Sequence, residues 1–375
     1  MKRVLFVASV ALHINSFHIP YLKLFKEKGY VVDVATQKEA EVQCCDNHFK
    51  VAFERNPLKS SNIKAYKQLK MLIDENEYDI IHCHTPVASI LTRIAARKAR
   101  KKGTKIIYTA HGFHFFKGAP KLNWLIYYPI EKLCAHWTDV LITINKEDYA
   151  LAQKKMKAKH VEYVPGVGIN LDKFTASKLS DIERNEARKV LGISENDKML
   201  LSVGELNDNK NHAIILKALQ KLPDNIKYCI AGEGTNREKL LSLAKELRVE
   251  DRFRLLGRRN DIVELLGCAD IFCFPSLREG LPVSLMEAIA CGLPVVCSDI
   301  RGNVDLISNE EGGFLCKPND TDAFAENIKV LLTDIDLCDK MRKANMEILK
   351  TFSFENVKRE ISQIYDKTLE QKRSV

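Results

Sequence analysis

Short apolar runs alternate along the chain with segments whose apolar positions recur every three to four residues. Val4–Val10, Val31–Ala35, Ile80–Cys83, Lys105–Thr109 and Val140–Ile144 are nearly continuous apolar runs. Such runs mark strands buried on both faces, as in a parallel sheet. Helical periodicity fills the intervals at His18–Lys28, Ile63–Ile73, Ala88–Arg100 and Trp124–Cys134. The alternation then restarts. Met199–Val203, Lys227–Ala231, Arg254–Leu256, Ile271–Phe274 and Pro294–Cys297 form a second set of strand-like runs. Helical segments at His212–Leu222, Arg237–Leu247, Pro282–Ala290 and Ala323–Leu332 separate or follow them. Between the two sets lies Pro165-Gly166-Val167-Gly168, a breaker cluster suited to a linker. The pattern predicts an α/β chain of two Rossmann-like, doubly wound parallel-sheet domains, residues 1–166 and 167–352. A helix over Ser353–Thr368, within residues 353–375, is expected to cross back to the first domain. Ligands of such sheets bind at the carboxyl ends of the strands. Two sheets facing across a cleft would hold a group donor on one and an acceptor on the other.

A length of 375 residues agrees with two domains, and 46% hydrophobic with 29% charged residues is ordinary for α/β cores. Lys2-Arg3 before Val4–Leu12 imitates the start of a signal peptide, but His13, Asn15 and Ser16 follow at once and no small-residue cleavage site closes the run. A first buried strand accounts for it better. No stretch approaches the roughly 18 apolar residues of a spanning helix. The eleven cysteines are scattered, with no C-x-x-C pair, so a structural zinc site is not expected and a reducing, cytoplasmic setting is. Charge is uneven. Residues 1–165 hold 27 Lys+Arg against 15 Asp+Glu, a balance of +12, and the remainder holds 31 against 34, or −3. A basic first half points to an anionic partner there.

The most informative string is Pro275-Ser276-Leu277-Arg278-Glu279-Gly280-Leu281-Pro282-Val283-Ser284-Leu285-Met286-Glu287. It follows a strand and opens a helix. Pro282 suits a first turn, where a missing N–H costs nothing. Gly280 allows close approach of a ligand to the backbone. The free amides of Leu281, Val283 and Ser284 would then face an anion such as a phosphate, aided by the helix dipole. Glu279 could accept hydrogen bonds from sugar hydroxyls and Glu287 from a ribose. Either glutamate alone would pass for a solvated surface residue. The whole string resembles the E-x7-E motif of the retaining glycosyltransferases with the GT-B fold, in the large group called family 4, also known as group 1. There the first Glu contacts the donor sugar and the second the ribose.

Further segments are similar to that family. Ser202-Val203-Gly204-Glu205-Leu206-Asn207-Asp208-Asn209-Lys210 follows a strand, and Lys210 matches a lysine that binds the donor diphosphate. The position after Gly204 carries a cation in the family and Glu205 here. That carboxylate is expected to turn away or to pair with Arg258 or Arg278. Gly232-Glu233-Gly234 resembles the strand-ending glycine turn, and Leu256-Gly257-Arg258 a segment near the base, so Gly204, Gly232, Gly234 and Arg258 join the implied donor site. Tyr108-Thr109-Ala110-His111-Gly112-Phe113-His114 resembles the family's H-G segment, whose histidine faces the donor sugar. The resemblance makes His111, Glu279 and Lys210 the implied catalytic residues.

The first loop, Ser9–His18, carries a Gly-Gly pair in the family but no glycine here. His13, Asn15 and His18 are expected to take its place on the acceptor side, with His114. Arg93, Arg97, Lys98, Arg100, Lys101 and Lys102 form a basic run at a helix end, readable as a solvated face or as a contact for anionic lipid. Phe115, Phe116, Trp124, Tyr127, Tyr128 and Trp137 beside Lys117 and Lys121 fit an interfacial surface or a core. Asp320-Thr321-Asp322 and Asp334-Ile335-Asp336 sit at helix starts and read as caps.

The implied activity is retaining transfer of a sugar from a nucleoside diphosphate sugar, UDP-linked, to a hydroxyl of a saccharide or lipid-linked saccharide. The implied setting is bacterial capsule, exopolysaccharide or other cell-surface glycan synthesis, at the inner face of the plasma membrane. No cofactor, metal or nucleic-acid partner is expected. A nucleotide-sugar epimerase of the same fold keeps the chemistry class. A dehydrogenase would want G-x-G-x-x-G after a first strand, and neither Val4–Asn15 nor Met199–Asn211 supplies it. A non-catalytic anion- or nucleic-acid-binding protein fits the pI of about 8.9 but lacks a recognisable module.

Overall fold

The computed structural model describes residues 2–54, 56–57, 59–175 and 179–373. Contacts divide the chain into two compact units, Met1–Val167 with Glu355–Val375, and Gly168–Phe354. The first unit is built on strands β1 (Arg3–Val7), β2 (Val31–Thr36), β3 (Asn47–Lys50), β4 (Ile80–His84), β5 (Lys105–Ala110), β6 (Val140–Thr143) and β7 (His160–Tyr163). All pairings are parallel, in the order β3-β2-β1-β4-β5-β6-β7. Side chains alternate between two apolar layers. Val4, Phe6, Val32, Val34, Ile80 and Ile107 face one, and Leu5, Val7, Ile81, Cys83, Ile106 and Tyr108 face the other. Both faces are covered, which explains the continuous apolar strands.

The strands β3 and β7 lie at the two edges and escaped the sequence pattern. Asn47 and Lys50 are exposed, and His160–Tyr163 is only half-buried throughout. An edge strand needs no unbroken apolar run. The helix Phe354–Arg373 packs on the first unit, placing Val357, Ile361, Ile364 and Tyr365 among Phe6, Tyr21 and Phe25.

Three expectations for this unit are corrected. Ser9–His18 is not an open loop: Ala11–Phe17 is helical, and Ala11 and Ile14 are buried one turn apart. With no glycine or proline in it, the segment turns straight into a helix that ends at His18, where a second helix, Ile19–Glu27, begins with Pro20 in its first turn. The helix Ala88–Arg100 is two helices, Pro86–Ala95 and Arg97–Lys101, joined at Ala96. The basic run there is not one free surface. Arg93 is buried, its guanidinium 2.7 Å from Glu131 and 4.1 Å from the centre of the Tyr108 ring. Arg97 lies over Trp137 and Arg100 pairs with Asp139 at 2.9 Å. The aromatic segment is partly core, with Phe113 and Phe115 buried.

The second unit carries β8 (Lys198–Val203), β9 (Ile226–Ala231), β10 (Phe253–Gly257), β11 (Ile271–Phe274), β12 (Val295–Ser298) and β13 (Phe314–Cys316). They form a parallel sheet in the order β10-β9-β8-β11-β12-β13. The three-residue β13 was too short to register in the sequence. Asp320 and Asp334 cap their helices, accepting from the amides of Ala323 and Leu337. Each sheet reverses its strand order once, between β1 and β4 in the first and between β8 and β11 in the second. Those are the topological switch points where such folds bind ligands. Among the described residues no helix is long and apolar enough to cross a membrane.

Candidate functional site

At the second unit's switch point the loop after β8 meets the loop after β11. Asn207 caps the short turn Asp208–Lys210, accepting from the Lys210 amide at 3.0 Å. Asn211, in the left-handed region at φ 51°, donates from its side chain to the carbonyls of Pro275 and Pro318. The Leu277 amide donates to the Asn209 carbonyl at 2.7 Å, and the Asn209 amide group donates to the Arg278 carbonyl at 3.0 Å. These bonds fix Lys210 against the β11 loop. Its ammonium lies 2.8 Å from Glu279 and 4.7 Å from the centre of the Phe274 ring. The lysine and first glutamate of the implied donor site therefore form one ion pair, each about one-fifth exposed or less.

Gly204 makes room for this lysine. A Cβ there would stand 3.1 Å from Lys210 Cε. Gly232 and Gly234 have a packing reason of their own. A Cβ on Gly232 would fall 1.8 Å from the Gly204 carbonyl oxygen, and one on Gly234 would fall 2.4 Å from that of Leu206. The Leu206 amide donates to the Glu233 carbonyl at 2.9 Å across the same contact. The two glycines let the loops after β8 and β9 lie backbone on backbone.

The helix after β11 runs Val283–Ala290. Pro282 stands at its N-cap, one place earlier than the first-turn position expected, and offers no side-chain cap. The first amides of the helix are thus left for an anion. Gly280 passes under Gly302, whose added Cβ would meet the Gly280 carbonyl at 2.4 Å. Arg301, buried at 7% exposure, donates to the Glu279 carbonyl at 3.1 Å and holds that turn. Leu281 is buried beside it. Arg301 and Gly302 escaped the sequence analysis because they come from the loop after β12, outside any recognised string. Glu287 is half-buried, and burial pushes its carboxyl above the usual range against the pull of Lys173. Glu205 is exposed and, among the described residues, forms no ion pair, so it does not pair with Arg258 or Arg278. Arg258 and Arg278 are exposed as well.

The first unit's switch point holds histidines. His13 lies on the helix Ala11–Phe17, His18 directly after it, His84 ends β4, and His111 follows β5. Ring nitrogens meet in a chain. His18 Nε2 is 3.3 Å from His13 Nε2, which is 3.2 Å from His111 Nε2, which is 3.5 Å from His84 Nδ1. Burial pulls His13 down to about 4 and holds His18, His84 and His111 well below the ordinary imidazole value. All four are neutral at pH 7. His82 lies beneath, its two nitrogens 2.7 Å from the Tyr365 hydroxyl and 2.8 Å from the Thr109 hydroxyl. Of the four residues expected on the acceptor side, His13 and His18 join His111 here. Asn15 donates instead to the Glu41 carbonyl, and His114 stacks on Tyr127 with ring centres 4.6 Å apart. His84 was missed, although His82-Cys83-His84 on a strand places both imidazoles on one face.

The comparisons with known proteins agree in both units. Residues 3–145 match the family described as Glycosyl transferase 4-like, and residues 183–347 match Glycosyl transferases group 1. A putative glycosyltransferase of Bacillus subtilis, EpsD, is 39% identical over 97% of this chain and 96% of its own. The Escherichia coli UDP-Gal:alpha-D-GlcNAc-diphosphoundecaprenol alpha-1,3-galactosyltransferase is 33% identical over 76% of each chain. The crystal structure of Anabaena HepE in complex with UDP and glucose superposes with a TM-score of 0.80 at 19% identity, covering 98% of this chain and all of that one. The chain belongs to the group 1 glycosyltransferases and has their GT-B fold.

Proposed function

We propose that the protein moves a hexosyl group from a UDP-sugar to a hydroxyl of a lipid-linked saccharide, with retention, during assembly of a bacterial cell-surface polysaccharide. The observation that carries this is the Lys210–Glu279 ion pair beside the uncapped start of the helix Val283–Ala290. The lysine and the free amides supply positive potential for a diphosphate, and the glutamate supplies acceptors for sugar hydroxyls. Glu287, just over one turn along that helix, takes the ribose hydroxyls. The glycines at 204, 232, 234 and 280 shape the turns, and Arg258 reaches the nucleotide from the loop after β10. The donor type is supported by UDP and glucose bound to the Anabaena neighbour, and the acceptor type by the diphosphoundecaprenol substrate named for the Escherichia coli relative.

In the reaction the bond from the anomeric carbon to the β-phosphate oxygen breaks. The acceptor oxygen bonds to the same face of that carbon, and its proton passes to the departing phosphate. The protein supplies position and charge, Lys210 with the helix amides holding the leaving diphosphate, so the donor site needs no metal.

The acceptor reading is supported by the helix Lys121–Ala135. Leu122, Leu125 and Leu133 are 61%, 73% and 55% exposed on one side of it, flanked by Lys121 and Lys132. An exposed apolar stripe beside lysines suits the inner face of an anionic membrane. One experiment addresses donor and acceptor together: a panel of nucleotide sugars with a membrane lipid extract, scored for label transfer. The Lys210→Ala, Glu279→Gln double variant should lose at least about 1000-fold in rate while remaining folded. Wild-type transfer by that variant would sink the donor site. Equal use of soluble acceptors, with no binding to anionic vesicles at low salt, would sink the membrane acceptor.

A further inference from the structure

Four neutral imidazoles converge at the first unit's switch point with no sequence string to announce them. One ring nitrogen from each of His13, His18, His84 and His111 lies within 4.8 Å of the other three. Ordinary hydrogen bonds do not account for this. A neutral imidazole nitrogen is either an N–H donor or a lone-pair acceptor, and a donor has one hydrogen to give. In the chain His18, His13, His111, His84 there are three contacts, at 3.3, 3.2 and 3.5 Å. If His18 and His111 donate, His111 must serve both His13 and His84 with one hydrogen. If His13 and His84 donate, His13 must serve both His18 and His111. No tautomer set makes three full bonds. His82, by contrast, has a hydroxyl partner for each nitrogen and stands outside the group.

The spacing has a different explanation. A tetrahedral ion with ligand nitrogens at about 2.0–2.1 Å has nitrogens about 3.3–3.4 Å apart along each edge. Three of the six edges, at 3.3, 3.2 and 3.5 Å, scatter around that length, and the other three stay within 4.8 Å. Four borderline-soft imidazole nitrogens, with no oxygen ligand among them, favour zinc over the oxygen-seeking cations. A second observation marks the place as functional. Thr85, next after His84, is a β-branched residue in the left-handed region at φ 61°, held there by Ser9, whose amide and hydroxyl lie 3.0 and 2.9 Å from its hydroxyl. Strain of that kind persists where surrounding structure insists on a geometry, and it clusters at ligand sites.

We propose that the first unit binds a divalent transition-metal ion, zinc, through His13, His18, His84 and His111. The ion ties the helix Ala11–Phe17 and the turn at His18 to the ends of β4 and β5. It lies in a different unit from Lys210 and Glu279, and the inference does not rest on the transferase proposal. The test uses the full chain without a histidine tag. Elemental analysis after dialysis should give about one zinc per chain, and cobalt added to chelator-stripped protein should give the intense visible bands of a tetrahedral site. His13→Gln, at a half-buried position, and His18→Gln should each weaken zinc binding by more than about 100-fold while circular dichroism stays native. If His18→Gln does not fold, His13→Gln carries the test alone. Metal only at trace levels, a pale octahedral cobalt spectrum, or undiminished binding in a folded variant would each overturn the proposal. None of these readings involves a nucleotide sugar, so they fail or succeed separately from the donor site.

Discussion

The two switch points have the same topology and opposite chemistry. In the second unit the loops after β8 and β11 bring together charged groups, Lys210 and Glu279, partly exposed and fixed by backbone hydrogen bonds. In the first unit the segments after β1, β4 and β5 bring together neutral imidazoles, two of them fully buried. One site keeps charge at the rim, in reach of water and of an incoming anion. The other keeps charge out by desolvation. A parallel sheet fixes where a ligand sits, and the residues at the strand ends alone decide what it is.

Buried charge in the first unit is a structural matter, and breaking it should have the largest effect. Arg93 is sealed between Glu131, the Ser89 carbonyl at 3.1 Å and the Tyr108 ring. Arg93→Ala leaves Glu131 charged and buried, at a cost of about 4 kcal/mol in denaturant unfolding. Arg93→Met combined with Glu131→Leu should recover most of that loss, because removing both partners of a buried pair is often close to neutral. A single variant as stable as wild type would mean that this pair, like the second unit's, is open to water.

The second unit has one buried imidazole of its own, and it sharpens the contrast. His212 is 3% exposed, 3.1 Å from the Tyr228 hydroxyl, and burial with the nearby Lys210 charge lowers it to about 4. Its folded value lies below the unfolded value, so the fold excludes the proton. The stability it contributes is present above pH 6.5 and is lost as pH falls from 6.5 to about 4. The loss should reach roughly 3 kcal/mol. Urea unfolding of wild type and His212→Gln at several pH values isolates it, since the other titrating groups are common to both. Parallel pH profiles would show that water reaches this imidazole.

The same difference explains what could be read from the sequence. Most of the donor-side residues fall in two unbroken strings, 202–211 and 275–287, with Gly232, Gly234 and Arg258 in short segments between them, and most roles are tied to a local device: a glycine, a proline, a helix start. Local devices are visible in one dimension. The alternation of apolar runs likewise placed both sheets, because buried parallel strands carry the pattern themselves. The edge strands β3 and β7 do not, being half wet. The histidine group draws on positions 13, 18, 84 and 111, and only the strand order β1-β4-β5 makes them neighbours. Arg93 was legible as a charge but not as a buried one, since its partner Glu131 lies 38 residues away.

The smallest effect is the most direct check that the second unit's rim faces a diphosphate. Glu205 follows Gly204 where the resembling family has a cation, and it is exposed and, among the described residues, free of ion pairs. On the proposed donor site its charge would cost affinity without supporting the fold. Glu205→Arg replaces a repulsion with an attraction. At several ångströms from a diphosphate, in largely aqueous surroundings, the gain should be about 1 kcal/mol, or roughly fivefold tighter UDP binding. The gain should shrink as salt is raised, because exposed charges are screened beyond about 10 Å at 0.1 M ionic strength. Calorimetric titration with UDP at low and high salt reads both effects. Unchanged affinity at low salt would place the turn after β8 away from the phosphates, leaving Lys210 to reach them alone.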